Sequence, residues 1–412
     1  MNLNIDTQRL TGELDRLAAF SDAPAPAVTR IAYSEQDTRA RDYVKGLCRA
    51  AHLEVREDAV GNTLARLAGS EPDLPPVATG SHIDTAPNAG RYSGTVGVLG
   101  GLEAIRALQA GGFQPRRSVE LILFSASEPT RFGIGCLGSR LLSGTMPAWK
   151  TERLIDKDGK TLDLWRADAG FEGALASVAV APSHYAAFVE FHIERGPLLE
   201  QAGLPLGIVT AMAAPASLRV TVEGEGGHAG AAPMSDRRDA LCAAGEIALE
   251  VEKSAQGTGA VDSVATVTVC EVSPGAANSI PSRVRLELDV RDIDPARRDR
   301  MVAQIVTACR NAAQRRRLGV KAELISMDAP AECRVEVVDA LARAAEKHGL
   351  GYQKMVSRAY HDALFLSRIA PTGLLFIPCR GGISQCPEEF AAPEAIASGA
   401  LVLAETLAEL AS

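Results

Sequence analysis

Long basic runs are missing from this chain. Lys and Arg number 43 against 51 Asp and Glu, a net charge of -8, which excludes nucleic acid as a partner. The one short cluster, Arg315-Arg316-Arg317, reads as a solvated helix end, where positive charge is favoured. Paired cysteines are missing too. Eight are scattered without CxxC spacing, which in a chain this size points to reduced cytosolic thiols rather than a disulfide framework. The first twenty residues carry mixed charge and no apolar core, so neither a signal peptide nor a membrane span is expected, and the expected location is cytoplasmic. Aromatics make up only 4% of 412 residues, with 46% hydrophobic and 23% charged. That is the composition of a soluble globular protein long enough for two domains.

The stretch Thr79–Gly101 organises the rest. His82 and Asp84 lie two apart after the run from Pro75. On a strand they would share a face, so the imidazole can bind a metal or a proton while the carboxylate braces its other nitrogen. A glycine-marked loop and a small-residue helix follow. Ser118–Ser125 reads as a buried strand, followed at once by Ser127-Glu128-Pro129. A polar cluster at the carboxyl end of a strand is where open α/β sheets place ligand sites. Tyr185–Ile193 alternates as another strand and ends in His192-Ile193-Glu194-Arg195-Gly196-Pro197.

From about Ala211 the pattern changes. Ser217–Glu223, Ser263–Cys270 and Ser282–Arg291 alternate as strands, with helices expected over Asp236–Ser254 and Pro295–Arg317. Beyond Ile325 the α/β pattern resumes: a helix at Val335–His348, a loop at Ser357–Ala363, a strand at Gly373–Pro378 and a closing helix at Pro393–Leu410. The expected fold is α/β, a discontinuous α/β/α catalytic domain (1–210 and 326–412) with an inserted α+β domain at 211–325.

The segments GSHIDT…GRYSG (80–94), SEPTRFGIGCLGSR (127–140), FHIERGPLLE (191–200), GHAGAAPM…RRDAL (227–241), NSIP (278–281), DVRDID (289–294), SRAYHDALF (357–365) and PCRGGISQCPEE (378–389) run in one order over nearly the whole chain. Together they resemble the dinuclear-zinc amidohydrolases of the aminoacylase superfamily, in the branch of N-carbamoyl-L-amino-acid amidohydrolase, β-ureidopropionase and allantoate amidohydrolase. The resemblance implies a catalytic domain holding two metals and an inserted lid that dimerises. It places one metal on His82 and His192. The family's second metal is held by the second Glu of an EE pair and a late histidine, an aspartate bridges the two ions, and the first Glu of the pair is the general base.

This chain departs from that pattern at the centre of the chemistry. The bridging aspartate is Ser93, the general base is Ser127, the late histidine is Gln385, and a glutamine beside His192 is Arg195. A neutral hydroxyl does not offset the repulsion of two dications, and an amide oxygen is a poor zinc ligand beside imidazole. A full dinuclear centre is therefore not expected. What remains is no metal, or a single zinc or manganese on His82, His192 and Glu128.

The substrate-facing positions survive. By the resemblance His228 polarises the scissile carbonyl, and Asn278 and Arg291 grip a substrate carboxylate. His361 lies beside the site, and Ser93, Arg195 and Gln385 join the substrate-binding set. Candidate catalytic residues are His82, Asp84, Ser127, Glu128, His192, His228 and His361. Three readings stand: hydrolysis of a C–N bond in a small amino-acid-like carboxylate, non-hydrolytic C–N chemistry in the same pocket (lyase, isomerase or acyl transfer), or a non-catalytic binding subunit. A homodimer is expected through the inserted domain, at an edge including Ser217–Glu223 or the helix from Asp236, and no membrane partner is expected. Cys379 and Cys386 flank the site and read as inert packing residues.

Overall fold

A computed structural model describes residues 3–412, and the chain forms two compact units. The first runs to Thr210 and takes in Glu332–Ser357 and His361–Ser412. Its centre is four parallel strands in the order Val119–Phe124, Val77–His82, Ala187–Ile193 and Thr372–Ile377. All four are buried at every residue, as expected of parallel strands covered on both faces, which read as continuous apolar runs. The hairpin Glu54–Glu57/Thr63–Leu67 extends the sheet antiparallel at one side. On the other side Leu206–Met212 pairs antiparallel with Thr372–Ile377, a strand the alternation pattern did not single out. Thr95–Ala110 and Pro393–Ala411 pack against this sheet. Gly97, Gly100 and Gly399 permit that approach: a Cβ at any of them would lie 2.2–2.7 Å from Phe191.

The second unit comprises Ala211–Ala331 with Arg358–Tyr360. Its four-stranded antiparallel sheet runs Gly319–Met327, Ala214–Glu223, Arg283–Asp292, Val264–Ser273. Alternate residues of Arg283–Asp292 are buried. They meet Ile247 and Val251 of Ala240–Gln256, and Met301 and Ile305 of Pro295–Arg316. The α/β and α+β architectures are those the patterning predicts. Two details differ. Ser217–Glu223 lies in an interior strand with neighbours on both sides, so the free edges are Gly319–Met327 and Val264–Ser273. The helix expected from Asp236 starts at Ala240, because Asp239 caps it by accepting from the amides of Leu241 and Cys242. Among the described residues no helix is long and apolar enough to cross a membrane.

Candidate active site

The carboxyl ends of the four parallel strands deliver the candidate residues of the first unit. His82 is the last residue of Val77–His82, so Asp84 lies beyond the strand. The expected brace is therefore altered. His82 Nδ1 bonds the Asp84 backbone carbonyl at 2.9 Å, with the Asp84 carboxylate 3.6 Å away. That carboxylate instead accepts from the amides of Ser127 (3.2 Å) and Glu128 (2.8 Å), and so fixes the loop after Val119–Phe124. Burial alone would pull the His82 imidazole down. The Asp84 carboxylate, with Glu128 and Asp362, outweighs it and pushes the pKa up to about 9.

His192 is fully buried. Its Nδ1 bonds the Ile193 carbonyl at 2.9 Å, and its Nε2 accepts from the Gly94 amide at 2.8 Å. Those partners fix a neutral ring with the proton on Nδ1. Burial, then the Arg195 charge, holds its pKa well below the ordinary histidine range. Gly94 has φ +73°, and a Cβ there would meet His82 Cε1, Nε2 and O at 2.6 Å, so only glycine presents this amide. The His192 ring lies 6.0 Å from that of His82 and 4.6 Å from that of His361.

The four departures from the family pattern are all ordered by side-chain bonds. Arg195 donates to Ser93 Oγ from Nε (3.1 Å) and Nη2 (2.5 Å). The same Nη2 lies 3.4 Å from Glu128 Oε1 and 3.4 Å from His192 Nε2. Gln385 Nε2 donates to Glu128 Oε1 at 2.8 Å. Ser127 Oγ donates to Asp362 Oδ2 at 2.8 Å, and Ser139 Oγ to Asp362 Oδ1 at 2.5 Å. Arg195 and Gln385 both have left-handed backbone, φ +58° and +61°, uncommon for residues other than glycine.

Two carboxylates organise this pocket without having been singled out by the sequence. Glu389 accepts from the amides of Tyr92 and Ser93 on one oxygen, and from Ser384 Oγ and the Gln385 amide on the other. Glu190 accepts from Ser81 Oγ and the Ala363 amide, with His361 Nδ1 3.8 Å away. Burial, reinforced by Asp362, pushes Glu190 up to about 8. Its signal was present: one acid inside the fully buried strand Ala187–Ile193.

The remaining candidates belong to the second unit. His228 and Asn278 are exposed and line one groove beside the paired segments Gly227–His228 and Ser279–Ile280. Arg291 is bidentate to Asp289 (2.6 and 2.8 Å) and donates to the Arg358 carbonyl. The fork assigned to a ligand carboxylate is thus held by one from the chain. All eight cysteines are free, and burial pushes Cys379 up to about 11.

The fold is that of a family of C–N bond hydrolases, and the chain belongs to peptidase family M20/M25/M40, whose pattern matches residues 78–409. Ureidoglycolate hydrolase of Arabidopsis thaliana is 48% identical over 416 aligned residues, covering 99% of this chain and 87% of that protein. An N-carbamoyl-L-amino acid amidohydrolase of Geobacillus stearothermophilus is 37% identical over 410 residues, 99% of each chain. Among solved structures, AtUAH in complex with glyoxylate matches with a TM-score of 0.95 at 48% identity, over 99% of this chain and 98% of that one.

Proposed function

We propose that this protein cleaves a C–N bond in a small carboxylate bearing a ureido or amide group. The observation that carries the reading is end-to-end similarity, 48% identity over 99% of the chain, to a ureidoglycolate hydrolase. The buried strand-end histidines and a cationic side chain at the same sheet ends supply groups that can hold an anionic substrate and move a proton. The second unit, with His228 and Asn278, serves as the lid and dimer-forming domain in this reading, and the location is cytoplasmic.

Members of the family usually carry divalent metals such as zinc or manganese. The donors of this chain do not fit a two-metal centre. His192 Nε2 already accepts from an amide, Glu128 Oε1 already accepts from Gln385, and Ser93 Oγ already accepts from Arg195.

Elimination in place of hydrolysis is a second reading, favoured by one observation. Ser127, at the position of the family's base, donates its proton to Asp362 and offers no carboxylate to accept one from water. On a hydroxylated ureido carboxylate, water attacking the ureido carbonyl gives ammonia, carbon dioxide and the amino-carbinol acid. Elimination forms the aldehyde carbonyl from the carbinol and releases urea, its nitrogen taking up the hydroxyl proton. Turnover of ureidoglycolate, allantoate and N-carbamoyl amino acids in oxygen-18 water tests both. Labelled carbon dioxide with ammonia supports hydrolysis, and unlabelled urea supports elimination. Binding without turnover would leave a non-catalytic binding subunit.

A further inference from the structure

Three of the four departures from the family pattern lie together, while Ser127 bonds Asp362. Arg195, Ser93 and Gln385 join in one hydrogen-bonded cluster around Glu128, and the first and last reach it from left-handed backbone. A site losing function by independent substitutions would leave unpaired remnants. This one pairs three of its substituted side chains with each other and with the surviving carboxylate. We infer that Arg195 is the resident cation of the pocket: its guanidinium lies among Ser93, Glu128 and His192, where the family's two ions meet their shared bridge, and it presents its remaining amino group to the anionic end of the ligand.

Three features support this. The guanidinium contacts one oxygen of Glu128 and lies against His192 Nε2, one atom from the ligand set of each of the family's two ions. A permanent positive charge there repels a dication, so the two are alternatives. Lastly, Arg195 is 16% exposed, and its Nη1 has no partner among the described residues, which leaves a planar N–H pair suited to a carboxylate or a developing oxyanion.

The inference rests on the proposed pocket for its place, but its test needs no turnover, so it can fail while the proposed reaction stands, and the reverse. Wild-type protein is incubated with excess zinc or manganese, desalted and analysed for metal. Well below one ion per chain is expected, and one or more overturns the proposal. The fourfold variant S93D/S127E/R195Q/Q385H is expected to retain about two ions per chain. A folded fourfold variant, checked by circular dichroism, that still binds none also overturns it. Should that variant fail to fold, calorimetric titration with glycolate decides. Affinity for the wild type is expected to fall about tenfold or more in R195Q and to recover in part in R195K. No binding to the wild type, or equal binding to R195Q, refutes the anion-binding role.

Discussion

Glu389→Gln tests whether the pocket is held open by one buried carboxylate. Glu389 is 4% exposed and accepts four hydrogen bonds, at 2.8 and 3.0 Å from the amides of Tyr92 and Ser93, and at 2.8 and 3.2 Å from Ser384 Oγ and the Gln385 amide. The glutamine amide oxygen can keep only one of these pairs. The less costly orientation turns the NH2 toward Ser384 and Gln385, since the Ser384 hydroxyl can rotate to accept while the Gln385 amide cannot. One charged hydrogen bond is then lost, the part-buried Gln385 N–H faces another donor, and the remaining bonds lose their charge. Hydrogen bonds to charged groups contribute about 1.5–3 kcal/mol, and a donor that water can reach adds little to that, so a loss of roughly 1.5–3 kcal/mol is expected. Ser93 and Gln385 are the residues anchored here, and their side chains set Arg195 and Glu128. A displacement near 1 Å can lower turnover by about 10²-fold, so kcat/KM is expected to fall between about 10- and 100-fold. Urea unfolding followed by circular dichroism gives the first quantity and steady-state kinetics the second. Stability within about 0.5 kcal/mol of wild type, the range of ordinary surface substitutions, would refute the clamp.

Gly94→Ala is expected to destabilise the protein by well over 1 kcal/mol, because it combines a positive φ with a Cβ 2.6 Å from His82. Thermal melts and loss of turnover report it, and near-normal values for both would refute the packing argument. Asp292 is buried and accepts from Arg297 and Ser263; burial raises its pKa, but the Arg297 bonds outweigh that and hold it below the usual carboxylate range. A depressed acid stabilises the fold above its unfolded pKa, and that contribution is lost as pH falls through the folded value. Asp292→Asn should therefore be less stable at neutral pH, with the gap closing below about pH 4; a gap constant across acid melts would contradict this. Cys379, pushed up to about 11 and buried, should resist iodoacetamide at neutral pH while exposed Cys242 and Cys270 react. Early alkylation of Cys379, read by mass spectrometry, would show that its thiol is not held protonated.

Elements whose packing writes a period into the chain were readable. Val119–Phe124 is buried on both faces and appears as a nearly continuous apolar run, while Arg283–Asp292 is buried on one face and alternates. A helix start is local in the same way: Ser34 caps Glu35–Ala50 by accepting from the Asp37 amide. What escaped depends on partners far away in sequence. Arg195 meets Ser93 across 102 residues, and Glu389 meets Ser93 across 296; no local pattern records such pairs. Asp84 was placed on a strand because HxD alternates, yet the amides of Ser127 and Glu128 draw its carboxylate away from His82. The Asp289–Arg291 pair was within reach, since residues two apart on a strand share a face. Resemblance gave the arginine a ligand role and hid its neighbour.

Formal charge separates replacement from decay at the strand ends. Relative to the family pattern, the chain exchanges two acids for Ser93 and Ser127 and a neutral glutamine for Arg195, while Gln385 replaces a histidine that would bind a metal as a neutral ligand. The formal charge of the pocket thereby rises by three, through one guanidinium gained and two carboxylates lost, against the four positive charges that two dications would bring. Independent losses have no reason to approach that balance, because an exchange of acid for hydroxyl alone, beside retained metals, leaves like charges facing one another. Nor would they set the new side chains in contact, as Arg195 with Ser93 and Gln385 with Glu128 are. The surviving Glu128 is the common partner: its charge, which the family balances with metal, is balanced here by a guanidinium at 3.4 Å and an amide at 2.8 Å. Restoring the aspartate at position 93 alone would place a second acid against Arg195 rather than re-create a metal bridge. The older chemistry is thus reachable only by changing the cluster together.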